Sequence, residues 1–144
     1  MTEKNLQIVL ASRPTGWVEE ANFRLQEAPV PEPGEGQVLV RNRWLSLDPY
    51  MRGRMADAKS YAKPVELGEV MVGGTAGEVV ASRHPGFAPG DAVTGALGWQ
   101  LYGLADGRLL QKVDARTIPL SAYLGPVSMP GVTASVGLVD VCAP

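Results

Sequence analysis

Glycine and proline recur so closely along this chain that they constrain its architecture more than any other feature. The 144 residues include 17 glycines and 12 prolines, and these cut nearly everything ahead of residue 132 into strand-length pieces. Such punctuation favours short strands joined by turns over a helix bundle. Residues 6–10 (LQIVL) read as a first strand closed by a turn at 13–16, and residues 23–27 alternate apolar and polar as a half-buried strand does. Residues 28–36 (APVPEPGEG) form an extended connector, because their prolines donate nothing to a ladder. A strand-like run follows at 37–45. Residues 70–82 read as two strand pieces flanking a bulge or a close backbone approach at Gly73, Gly74 and Gly77. Pro89-Gly90 is a turn feeding a strand up to residue 95, and residues 99–104 and 109–113 are expected to pair as a hairpin through Asp106-Gly107. The body is thus mainly β, a compact barrel or sandwich.

The end of the chain follows a different pattern. Residues 123–131 are loop-like, and residues 132–141 read as a helix. Val132, Val136 and Val139 mark one face, with Leu138 and Val141 adding apolar surface elsewhere. A helix apolar around most of its circumference wants cover on more than one side.

The totals narrow the function. A chain of this length fits one ordinary domain that can bury a core without disulfides. A net charge of −2 with the signs interspersed leaves no electrostatic footprint for nucleic acid or an anionic membrane. The single cysteine, Cys142, allows no intramolecular disulfide, which fits a reducing compartment. The N-terminus lacks a secretory pattern, and no apolar run reaches the ~18–20 residues that cross a bilayer. The expected location is the cytoplasm.

Several chemistries lack their residues. One cysteine and one histidine, His84, are too few for a zinc dehydrogenase centre. His84 lies in a turn sequence, where a solvated ring is expected. No Gly-x-Ser-x-Gly elbow accompanies a nucleophilic triad. The spacing Gly73-Gly74-x-x-Gly77 is not followed by a helix of real length, so a dinucleotide phosphate loop is rejected. Arg41, Arg43, Arg52 and Arg54 read as a solvated strand edge and helix face, and residues 57–64 as an exposed loop that could serve as a lid or as nothing more.

What stands out is residues 46–55 (SLDPYMRGRM). Asp48 can cap a helix and Pro49 suits the first helical position, so a short helical turn is expected with Tyr50 at its head. Two readings of Tyr50 stay open at this point: a buried structural tyrosine, or a phenol presented to a ligand.

Five stretches together carry a family resemblance: residues 33–40 (PGEGQVLV), 45–52 (LSLDPYMR), 73–77 (GGTAG), 85–91 (PGFAPGD) and 129–134 (MPGVTA). In combination they resemble the medium-chain dehydrogenase/reductase superfamily, in its zinc-independent NADPH-dependent alkenal/one reductase group, which contains leukotriene B4 12-hydroxydehydrogenase (prostaglandin reductase) and curcumin reductase. The resemblance covers nearly the whole chain. It departs from the group's usual pattern after Thr133-Ala134, where Ser135-Val136 stand in place of an aromatic residue.

The resemblance implies a GroES-like partial β-barrel with short helices and a C-terminal helix. Residues 1–130 would form the substrate domain, and residues 131–144 a helix leading toward a Rossmann cofactor domain that this chain lacks. It implies NADPH as cofactor, no zinc, and a small-molecule enone or alkenal as substrate, with hydride delivered to the β-carbon and a proton to the α-carbon. By motif match Tyr50 would be the orienting donor or proton source, Met51 would shape the substrate pocket, and Pro49, Met129 and Thr133 would lie toward the nicotinamide. A phenol, ordinarily protonated at neutral pH, can donate without tuning. On this reading the 144 residues alone are inactive, and a homodimer is one assembly open to the full-length protein. The alternatives are a free-standing GroES-like module that self-associates through its apolar helix, and a quinone reductase domain.

Overall fold

The computed structural model describes residues 3–58 and 62–143, so the centre of the 57–64 loop, with its lid reading, lies outside the described residues. Among the described residues, seven strands form two antiparallel sheets. β1 (Lys4–Leu10) pairs with β2 (Phe23–Pro29). The larger sheet has the order β6-β3-β4-β5-β7, from β3 (Gln37–Leu45), β4 (Thr75–Ser82), β5 (Ala92–Gly95), β6 (Tyr102–Asp106) and β7 (Gln111–Lys112). The sheets do not close on themselves, and the partial barrel expected from the sequence is what forms.

Backbone bonds from Ile8 N to Trp99 O (2.8 Å) and from Leu101 N to Leu6 O (3.0 Å) join the sheets. A chain of amides, Gln26 to Gln7 to Gln100, crosses the same seam. One apolar cluster, built on Val38, Val40, Val79, Val93, Leu97 and Leu110, lies on the large sheet. A second, of Leu10, Met55, Val65 and Met71, lies beneath β1, where Phe23 stacks on Trp99 with centroids 5.2 Å apart.

Several expectations need correction. β2 runs on to Pro29, which pairs with Lys4 at the strand's end, two residues into the expected connector. The β3–β4 register shifts at two points: Val80 is the extra residue opposite Leu39/Val40, a bulge within residues 70–82 but past the glycines, and Arg43 is the extra residue between Asn42 and Trp44 on β3. The close approach does occur at the glycines: a Cβ on Gly77 would sit 2.3 Å from the Arg41 carbonyl oxygen, and one on Gly73 would sit 2.7 Å from Leu45 Cδ1.

The expected hairpin is absent, since β6 pairs with β3 while β7 pairs with β5. The Asp106 carboxylate accepts from Arg108 N (2.9 Å) and from its guanidinium, which winds Gly107–Leu109 into a 3-10 turn that sends the strands apart. His84 is half-buried instead of solvated: Nδ1 accepts from Gly86 N (3.0 Å) and the ring meets Phe87 edge-on. The terminal helix α2 (Met129–Ser135) starts earlier than expected and continues as a π-helix over Val136–Cys142.

Candidate functional site

α1 (Tyr50–Arg54) is a single short turn held from three sides. Met51 and Met55, four residues apart on one face, are both buried, which roots the turn in the core. Arg52 donates to the carbonyl oxygens of Pro14 and Gly16, Arg54 to that of Lys63, and Arg13 reaches the Met55 carbonyl. With Met51 turned inward, Tyr50, one residue and about 100° away, is turned outward. It is 40% exposed, which decides against the buried structural tyrosine.

The helix start differs from expectation. Asp48 makes no side-chain cap; its carbonyl accepts from Met51 N (3.1 Å), while its carboxylate accepts from the Ser46 hydroxyl (2.9 Å). Pro49 itself takes helical angles as the capping residue. The hydroxyl two residues upstream competes for the carboxylate that would otherwise cap the turn.

Tyr50 opens onto a cleft of about 330 Å³ shared with Ser46, Asp48, Gly74, Tyr123, Leu124, Ser128, Met129 and Pro130. The cleft lies where the end of β3 meets the start of α2. Tyr50 and Met129, 79 positions apart in the chain, are thereby brought to one cleft. The other predicted residues are not brought there. Met51 is 4% exposed and lies under the turn, Pro49 is exposed without lining the cleft, and the Thr133 hydroxyl donates to the Met129 carbonyl oxygen (2.7 Å) along its own helix. Tyr123 and Leu124 line the cleft although nothing in the sequence singles them out, because the 3-10 turn Leu120–Leu124 that presents them shows no periodicity.

Two other concavities are differently made. A groove of about 270 Å³ between the sheets is walled mainly by apolar residues such as Leu6, Leu25, Trp44 and Trp99, with Asn42, Arg43 and Gln100 also on its lining. An open hollow beside β7 holds charges already paired, Lys112 with Asp91 (2.6 Å) and Arg116 with Asp114 (3.6 Å). Among the described residues no three His, Cys, Asp or Glu side chains form a metal-binding group, and no helix is long and apolar enough to cross a membrane.

The cleft's polar set suits one end of a nicotinamide cofactor. The Ser46 hydroxyl already donates to Asp48 (2.9 Å) and the Ser128 hydroxyl to the Gly125 carbonyl oxygen (3.1 Å), so these serines and the carboxylate offer acceptors, which with the Tyr50 phenol suit neutral, hydrogen-bonding groups such as a carboxamide or ribose. No arginine or lysine lines it, so it does not suit a pyrophosphate.

Comparison with known proteins gives the chain a family. Residues 6–113 match the family described as the N-terminal domain of oxidoreductase. The chain is 51% identical over 142 residues to the NADPH-dependent curcumin reductase of Escherichia coli (strain K12), covering 99% of this chain and 41% of that protein. It is 36% identical over 146 residues to the NADP(+)-dependent 2-alkenal reductase of Nicotiana tabacum, covering 97% and 42%. The crystal structure of CurA in complex with NADPH from Vibrio vulnificus superposes with a TM-score of 0.86 at 49% identity, covering 94% of this chain and 40% of that one. The chain spans about two fifths of the length of these relatives.

Proposed function

The chain belongs to the family of oxidoreductase N-terminal domains, within the curcumin and alkenal reductase branch of the medium-chain dehydrogenase/reductase superfamily, and from that premise we propose that it is the substrate-side domain of an NADPH-dependent reductase. The reaction proposed is reduction of the C=C bond of an α,β-unsaturated ketone or aldehyde. Residues 1–130 form the substrate domain, and residues 131–144 lead toward the domain that carries the cofactor's phosphates. NADPH, when bound, supplies the hydride.

The chain's own residues supply the rest. Addition of hydride at the β-carbon pushes negative charge onto the carbonyl oxygen, and a donor already aimed at that oxygen lowers the barrier. The Tyr50 phenol is that donor, presented by a turn whose other face is locked in the core. Ser46 holds the Asp48 carboxylate, which keeps the turn's first carbonyl in place. Met129 and Pro130 line the cleft, and the Ser128 hydroxyl, which donates to the Gly125 carbonyl oxygen (3.1 Å), offers an acceptor toward the nicotinamide end. Pro49 and Thr133 stay candidates for contact with the cofactor, since both are exposed and each lies within one helical turn of a residue lining the cleft, whereas Met51 supports the pocket from beneath.

The observation that carries this reading is the convergence of Tyr50 and Met129, from the two most distinctive motifs, on one cleft. The test is NADPH oxidation by the full gene product with an enone, with the saturated ketone identified as product. Tyr50→Phe should lower kcat by about 10- to 100-fold with the circular dichroism spectrum unchanged. An unchanged rate removes Tyr50 from the chemistry, and no enone reduction by the wild type removes the function.

A further inference from the structure

We propose that Tyr123 is the specificity-determining residue of this cleft, and that its ring favours enones whose carbon chain carries a planar conjugated group over short aliphatic ones. This rests on the reductase reading of the same site.

The first observation is placement. Tyr123 lines the cleft together with Tyr50, Leu124, Met129 and Pro130. Two aromatic rings, a thioether, a leucine and a proline make most of the lining apolar, while the polar side-chain groups are the hydroxyls of Ser46, Ser128 and Tyr50 and the Asp48 carboxylate, the Tyr123 hydroxyl being taken up by Asp114. Aromatic rings gain from offset or edge contacts with another π-system beyond simple burial, and a polarisable thioether adds to such contacts. Met129 is 75% exposed, so it can adjust to a ligand.

The second observation is fixation. The Tyr123 hydroxyl donates to the Asp114 carbonyl oxygen (3.1 Å), which also accepts from Ile118 N (3.3 Å). The Asp114 side chain is itself held, accepting from Arg116 N (3.0 Å) and from the Thr117 hydroxyl (2.8 Å). The ring is thus pinned at its tip by a braced loop and at its root by a 3-10 turn, with Leu124 resting toward Gly74. A ring fixed in advance loses little freedom when a ligand lies against it. Tyr50, in contrast, has its hydroxyl assigned to the carbonyl, which leaves Tyr123 as the aromatic wall that reads the substrate's far end.

The test compares benzylideneacetone, a planar aryl enone, with its aliphatic counterpart ethylideneacetone, using the full gene product. Tyr123→Leu, which keeps apolar volume without the plane, should lower the kcat/KM ratio of aryl to aliphatic enone by about tenfold. Tyr123→Ala should do the same, and Tyr123→Phe should hold the ratio within about threefold of wild type. An unchanged ratio in the Leu and Ala variants overturns the proposal while leaving the reductase reading intact. Saturation-transfer NMR with benzylideneacetone gives a readout independent of turnover. Transfer to its phenyl protons in the wild type and the Phe variant, lost in the Leu variant, supports the wall even if no enone is reduced. Equal transfer in all three overturns it.

Discussion

Asn5 is 1% exposed on β1, and its amide stands in for a strand partner: Oδ1 accepts from Tyr102 N (2.9 Å) and Nδ2 donates to the Tyr102 carbonyl oxygen (2.8 Å). The same Nδ2 reaches Gln100 (3.1 Å). Removing it orphans both backbone groups of a buried residue at the seam between the sheets. Asn5→Ala should therefore cost about 2–3 kcal/mol, measured as a drop in urea midpoint with the slope unchanged. Asn5→Asp should also destabilise, because a carboxylate cannot donate to the Tyr102 carbonyl. Tyr50 and Met51 show how far one position matters on a short turn: adjacent in the motif, one is presented to the cleft and the other is committed to the core.

At the level of elements, the contact between β3 and β4 depends on a missing side chain. A Cβ on Gly77 would fall 2.3 Å from Arg41 O and 2.8 Å from Val40 Cγ1, and neither the ladder nor the valine core can withdraw without breaking pairs. Gly77→Ala should destabilise by roughly 2–4 kcal/mol, and thermal unfolding should report it, whereas Gly53→Ala, with open space around its Cβ, should not. The Asp106 turn makes a different prediction. The hydrogen bond from the Arg108 side chain, with a second from its backbone N–H, holds the Asp106 carboxyl at about 2. A side-chain hydrogen bond from Lys112 lowers Asp91, and one from Thr117 lowers Asp114, in the same direction. A native carboxylate that resists protonation stabilises the fold above the ordinary carboxylate pKa and loses that contribution as pH falls toward its own. The melting temperature should therefore fall between about pH 4 and pH 2, and Asp106→Asn should flatten part of that decline; an identical decline in the variant would exclude the turn as a source.

For the whole molecule, the cleft is one-sided. It offers hydroxyls, a carboxylate and aromatic walls, but no cation for a pyrophosphate, and α2 with its π continuation exposes Val132, Val136, Leu138, Val139 and Val141. On the proposed reading, the 144-residue polypeptide made alone should oxidise no NADPH with any enone, while the full gene product does. Turnover by the polypeptide alone would contradict the division into two lobes.

Local chemistry was enough to make the fold class and most strands legible. A strand-like run closed by a turn marked β1, alternation marked β2, the Pro-Gly turn marked the entry to β5, and the glycines marked where backbones come close. The short turn carrying Tyr50 was legible too, because Pro49 presets its first angle. What no local signal carried was pairing and convergence. Asp106-Gly107 looks like a hairpin until β3 and β5 compete for the two strands, and Asp48 looks like a cap until the Ser46 hydroxyl takes its carboxylate. Tyr123 stood unmarked in a loop until tertiary folding set it on the cleft beside Tyr50. Turns and alternation are decided by a few neighbouring residues, whereas a cleft wall is decided by which distant segments bury their apolar sides together, and that is a property of the packed chain alone.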